Sequence, residues 1–121
     1  MTALTEMQCV ACRPGAPIAT AAEIEAWRQE LPDWEIVTQR EIPRLRRTFR
    51  CPDFAGALRF TNLVGRLAEE EAHHPRITTE WGKVTVTIWT HAIRNLHRND
   101  FILAAKIDRA VAQDAPTGNR G

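Results

Sequence analysis

From Lys83 to Thr90 the chain alternates without a break: Val84, Val86 and Ile88 face one way, and Thr85, Thr87, Trp89 and then His91 face the other. A period of two marks a strand with one face in a core and the other on polar surroundings. The stretch from Glu41 to Phe49 alternates in the same sense. Leu45, Phe49 and Cys51 share a side, with Arg44, Arg46 and Arg50 opposite. Arg47 interrupts the apolar side, which points to a sheet edge or a subunit contact. Shorter extended pieces precede each of these strands: Trp34-Glu35-Ile36, and residues 76–80 with a bend at Gly82.

Helices fill the intervals. Thr20 is placed to cap a helix from Ala21 to about Leu31, with Glu23 in its first turn and Pro32-Asp33 as its stop. Pro52-Asp53 opens a long helix in which Phe54, Ala57, Leu58, Leu63, Val64, Leu67 and Ala68 recur at helical spacing as far as Ala72. Pro75 cannot continue it. A last helix has Asp100 near its start and Leu103, Ile107, Ala110 and Val111 as its stripe. Strands in pairs, separated by helices, predict an α+β fold: an antiparallel sheet with helices on one face. The other face then calls for a partner or a second subunit. Residues 1–19, punctuated by Pro14-Gly15-Ala16-Pro17, read as a flexible N-terminal arm, residues 20–115 as the single domain, and residues 116–121 as a C-terminal tail.

Composition excludes several classes. A length of 121 residues fits one domain, and 44% hydrophobic residues suffice for a core. The 16 basic and 15 acidic side chains nearly cancel, which gives no argument for nucleic acid or an anionic membrane, despite the run Arg44, Arg46, Arg47, Arg50. No apolar stretch is long enough to span a bilayer and no secretory signal is visible, so a cytoplasmic location is expected. Cys9 and Cys12 have CxxC spacing, but no second pair follows to complete a zinc site. Their Pro/Gly-rich setting is not that of a redox pair, and a reduced surface pair is the simpler reading.

Chemistry gathers in about thirty residues. Glu69-Glu70-Glu71-Ala72-His73-His74-Pro75 closes the long helix, Thr90-His91 closes the alternating strand, and Asp100 follows. Adjacent histidines at a helix end point in different directions. Histidine moves protons near neutral pH because its free pKa is about 6.5. Glu69, one turn before His73, can reach the same pocket rim. Asp100 can accept from backbone N–H groups at a helix start. Plainer roles stand beside these: His73 and His74 as helix-end decoration, Asp100 as a cap, Trp81 and Trp89 as core or rim, His97 beside Arg98 as surface. Zinc is the rival chemistry, but adjacent histidines do not share a helical face as i,i+4 ligands do.

The spaced set Glu69-x3-His73-His74-Pro75, five residues to Trp81, nine to His91 and eight to Asp100 resembles the pterin-4a-carbinolamine dehydratase family. Trp81 to His91 with Leu96-His97-Arg98-Asn99-Asp100-Phe101 is similar to its bacterial branch, and Leu31-Pro32-Asp33-Trp34 to its early tryptophan segment. The resemblance covers roughly residues 20–112 and implies a four-stranded antiparallel sheet with helices on one side, assembled as a homodimer or homotetramer. It implies dehydration of 4a-hydroxytetrahydrobiopterin to quinonoid dihydropterin, recycling the cofactor of an aromatic amino-acid hydroxylase. His73, His74 and His91 would line the pterin site as catalytic residues, Glu69 and Asp100 would support them, and Trp81 and His97 would contact substrate. No metal or cofactor is implied, since the pterin is the substrate. The alternative is a non-catalytic assembly or dimerisation factor for another protein, as some relatives are.

Overall fold

A computed structural model describes residues 3–10 and 13–113. In chain order the elements are α1 (Ala21–Arg28), β1 (Glu35–Gln39), β2 (Ile42–Arg50), α2 (Phe54–Glu71), β3 (Arg76–Glu80), β4 (Lys83–Ile88) and α3 (Arg98–Gln113). The four strands form one antiparallel sheet in the order β1-β2-β4-β3. The two alternating strands are its centre, and Leu45 faces Ile88 and Phe49 faces Val84 across the β2–β4 ladder. Both helices α2 and α3 lie on the apolar face, α2 over β3 and β4 and α3 over β2. Phe49 joins the layers: its ring lies 4.6 Å from Phe60 of α2 and 6.0 Å, edge-on, from Trp34. The opposite face is polar, with Arg46 bonded to Glu35 and Thr48 to Thr85.

Local signals account for the element ends. Thr20 Oγ1 accepts from Glu23 N–H and Glu23 Oε1 accepts from Thr20 N–H, a complete capping box. Helix α1 stops at Arg28 rather than near Leu31. Its last turn tightens to i→i−3 hydrogen bonds, and Leu31 drops into the core. Asp53 caps α2 by accepting from Gly56 N–H at 2.8 Å. Ala57, Phe60, Val64 and Ala68 form the buried stripe of α2, while Phe54 and Leu58, expected within it, are 45% exposed.

Three other expectations are corrected. Arg47 does not mark a sheet edge. It sits on a central strand and donates to Asp108 Oδ1 of α3 at 2.8 Å, its guanidinium over the Phe49 ring. Trp34 Nε1 donates to the same carboxylate, so one acid ties the sheet to α3. Burial pushes the Asp108 carboxyl up, against the pull of Trp34 and Arg47.

Helix α3 does not present a single stripe: Asn99 through Ile107 are all buried. The reason is the N-terminal segment, which is not the loose arm its composition suggests. Leu4, in a single 3-10 turn over Leu4–Glu6, is fully buried, and this turn packs on α3. Further on, Cys9 N–H donates to Glu71 Oε1, Val10 N–H donates to Asn99 Oδ1, and Asn99 Nδ2 donates to Val10 O. Cys12 and the tail from residue 116 lie outside the described residues.

Candidate active site

Helix α2 ends in a backbone reversal that aims its two histidines apart. Ala72 adopts a left-handed conformation at φ 52°. His73 N–H donates to Ala68 O and Ala72 N–H to Glu69 O, the paired bonds of a Schellman motif. Pro75 follows and β3 begins at Arg76. His73 turns inward and is buried; His74 turns outward and stays exposed.

Asp100 organises the inner side. Its carboxylate is fully buried on the first turn of α3. Oδ1 accepts from His73 Nε2 at 2.6 Å, and Oδ2 accepts from Thr90 Oγ1 at 2.9 Å and from His97 N–H at 2.7 Å. One acid thereby joins the end of α2, the end of β4 and the start of α3. A buried carboxylate with donors on both oxygens is a fixed acceptor, and it sets the ring orientation of the histidine it holds. Glu69 reaches the rim of the same site and holds an imidazole. It holds His74 rather than His73, with Nε2 and Oε2 2.5 Å apart. Both partners face solvent, so this pair restrains the ring weakly.

Beyond β4, Thr90 and Asn95 exchange backbone hydrogen bonds and close a turn that carries His91. The His91 ring stacks on Trp89 with centroids 4.5 Å apart. His73, His74 and His91, with Ala72, Thr90 and Ala92, line one open cavity of about 260 Å³. The register explains the convergence. Arg76 pairs with Thr87, so the residues just before β3 and just after β4 meet at the same end of the sheet.

Two expected substrate contacts do not join them. Trp81 occupies the β3–β4 turn beside Gly82 (φ 83°), at the opposite end of β4 from His91, and is 73% exposed. The His97 imidazole caps α3, its Nδ1 accepting from Asn99 N–H, and lines cavities with Pro17 and Arg98 rather than the histidine cavity. Its role toward His73 is indirect, through the backbone N–H that helps hold Asp100. Burial lowers the His97 pKa against the pull of Asp100. Thr90 donates to Asp100, whereas the sequence marks it only as the end of the strand that leads to His91. A threonine between a tryptophan and a histidine carries no signal of its own.

A sequence profile of the family described as pterin 4 alpha carbinolamine dehydratase matches residues 17–110. The chain belongs to this family. Relatives provisionally named pterin-4-alpha-carbinolamine dehydratase include a Chlorobium limicola protein, 61% identical over 107 residues (88% of this chain, 94% of that one). A Syntrophotalea carbinolica protein is 57% identical over 108 residues (89% and 96%). A solved Brucella melitensis structure, described as a transcriptional coactivator/pterin dehydratase, superposes with TM-score 0.68 at 25% identity, covering 77% of this chain and 97% of that one. A pterin dehydratase-like protein described as a RuBisCO assembly factor of the alpha-carboxysome superposes with TM-score 0.54 at 23% identity, covering 64% and 87%, and shares the fold.

Among the described residues, no group of three or more His, Cys, Asp or Glu side chains is disposed to hold a metal ion, and no helix is long and apolar enough to cross a membrane. Cys9 offers no thiolate. Burial, then Glu71, pushes its pKa to about 12, and its Sγ donates to Asn99 O.

Proposed function

We propose that this chain is a 4a-hydroxytetrahydrobiopterin dehydratase that releases water and quinonoid dihydropterin by histidine acid–base catalysis. The observation that carries this reading is the cavity shared by three imidazoles, one of them held by a buried carboxylate.

The reaction needs a proton delivered to the departing 4a-hydroxyl and a proton removed from the neighbouring ring nitrogen. Two imidazoles on different chain segments can serve the two atoms, one as acid and one as base. His73 and His91 take these roles. His73 is buried, and its ring is oriented by the Asp100 carboxylate at 2.6 Å. His91 is exposed and braced by the Trp89 ring. His74, loosely tied to Glu69, binds and orients the pterin. Because water leaves instead of attacking, no metal-bound hydroxide is called for, and activity is expected to withstand a chelator. Membership of the family also supports a homodimer or homotetramer acting in the cytoplasm beside an aromatic amino-acid hydroxylase; sedimentation of the purified chain tests the assembly.

Stopped-flow conversion of the 4a-carbinolamine tests the proposal. The wild type accelerates dehydration, and the double variant His73→Ala/His91→Ala loses more than about 10³-fold in kcat while keeping its circular dichroism. A folded double variant with undiminished activity would sink the assignment and favour an assembly role, to be sought by co-purification.

A further inference from the structure

His91 also lines a second cavity, larger than the first at about 500 Å³. Four arginines surround it, each from a different segment: Arg40 in the β1–β2 turn, Arg44 on β2, Arg76 at the start of β3 and Arg94 in the turn after His91. Trp89 is a platform for two of them. The Arg44 guanidinium lies 4.0 Å and that of Arg76 5.4 Å from its ring centroid. Gln39 orients the same two, its backbone O accepting from Arg44 Nη2 and its Oε1 from Arg76 Nη2.

What the four lack is negative charge. Among the described residues none of them forms an ion pair, whereas Arg46 pairs with Glu35 and Arg47 with Asp108 and Asp33. Arg44 is only 5% exposed, and its buried Nε has no hydrogen-bond acceptor among the described residues. Burial, then the nearby charges of Arg76, Arg40 and Arg94, pull its pKa down. Arg40 and Arg94 are held in left-handed backbone conformations, at φ 51° and 50°, where Asn or Gly is the ordinary choice. A desolvated cation ringed by like charges is costly unless an anion completes it, and planar guanidinium forks match phosphate and carboxylate oxygens.

We propose that this cavity binds an anionic group, a phosphate or carboxylate, carried on the side chain of the pterin whose ring lies in the histidine cavity. The inference rests on that cavity being the pterin site. His91 borders both spaces, so a substituent on a ring placed against it is within reach of the arginine cavity. Within the pterins that the dehydratase accepts, one with an anionic side chain is then preferred over one with a neutral hydroxyalkyl chain such as that of biopterin.

Calorimetric titration of the full chain with three 7,8-dihydropterins separates the possibilities: one with a neutral hydroxyalkyl chain, its phosphate monoester, and a chain of the same length ending in a carboxylate. At low ionic strength at least one charged ligand is expected to bind about tenfold or more tightly than the neutral one, an advantage that shrinks with added salt. The tighter of the two charged ligands identifies the anion. The double variant Arg40→Asn/Arg94→Asn keeps residues that tolerate positive φ at both exposed positions, and is expected to lose most of that advantage. Equal affinity for all three ligands, or an advantage undiminished in the variant, overturns the anion site and leaves the dehydratase reading standing. Failure of all three to bind, with no acceleration of dehydration, brings down the dehydratase reading itself.

Discussion

Asp100 shows at the residue scale how one side chain serves two levels of the molecule. It accepts the N–H of the residue that caps α3 and the Nε2 of His73. Replacing it with Asn removes the charged acceptor of His73 Nε2 and leaves one oxygen to do the work of two. Asp100→Asn is therefore expected to lower kcat by about 10- to 100-fold with KM little changed, a split that a purely structural cap would not produce. Ala72 makes a separate point. A left-handed alanine where glycine is the usual residue costs about 1 kcal/mol, so Ala72→Gly should raise stability in urea by about that amount. The residues of the site were largely legible in the sequence because histidine and carboxylate at a helix end are rare enough to stand out. Their pairing was not. Glu69 stands one turn from His73, yet the reversal at Ala72 hands it His74 and gives His73 to Asp100, twenty-seven residues along the chain. Trp81 lies apart from the histidine cavity, since spacing along the chain does not say at which end of the sheet a residue stands.

At the scale of elements, the alternation of β2 and β4 fixed the sheet and its inner face, and the helix caps fell where Thr20 and Asp53 are. The N-terminal segment was hidden because its hold depends on contacts remote in sequence. Glu71 accepts both Cys9 N–H and Lys106 Nζ, at 3.0 and 2.7 Å. Burial would raise the Glu71 carboxyl, but these bonds outweigh it and keep its pKa below the usual range. Leu4→Ala should cost about 2–4 kcal/mol in a denaturant titration, the loss proper to a core position rather than a free arm. The cap of α3 adds a pH dependence. With the His97 pKa lowered by burial, the folded chain binds fewer protons there than the unfolded one, so stability is complete above the unfolded value of about 6.5 and is lost as pH falls through it. His97→Asn supplies another N-cap acceptor and should flatten that part of the stability–pH curve.

At the scale of the whole molecule, the two central antiparallel strands place three chain segments at one end of the sheet: the exit of α2, the turn after β4 and the cap of α3. Folding alone assembles the histidine cavity from residues up to twenty positions apart, and the same register draws Arg76 and Trp89 to the neighbouring cavity. The near-neutral composition concealed that cavity, because sixteen basic and fifteen acidic side chains cancel in the sum and not in space. The account as a whole depends on a flat pterin ring lying among the three imidazoles. A structure of the complex with 7,8-dihydrobiopterin measures this directly. The account predicts ring nitrogens of His73 and His91 within hydrogen-bonding distance of the pterin, near the 4a carbon and its neighbouring nitrogen, with His97 out of contact. A pterin bound away from His91, or seated against His97 and the N-terminal segment, would contradict it.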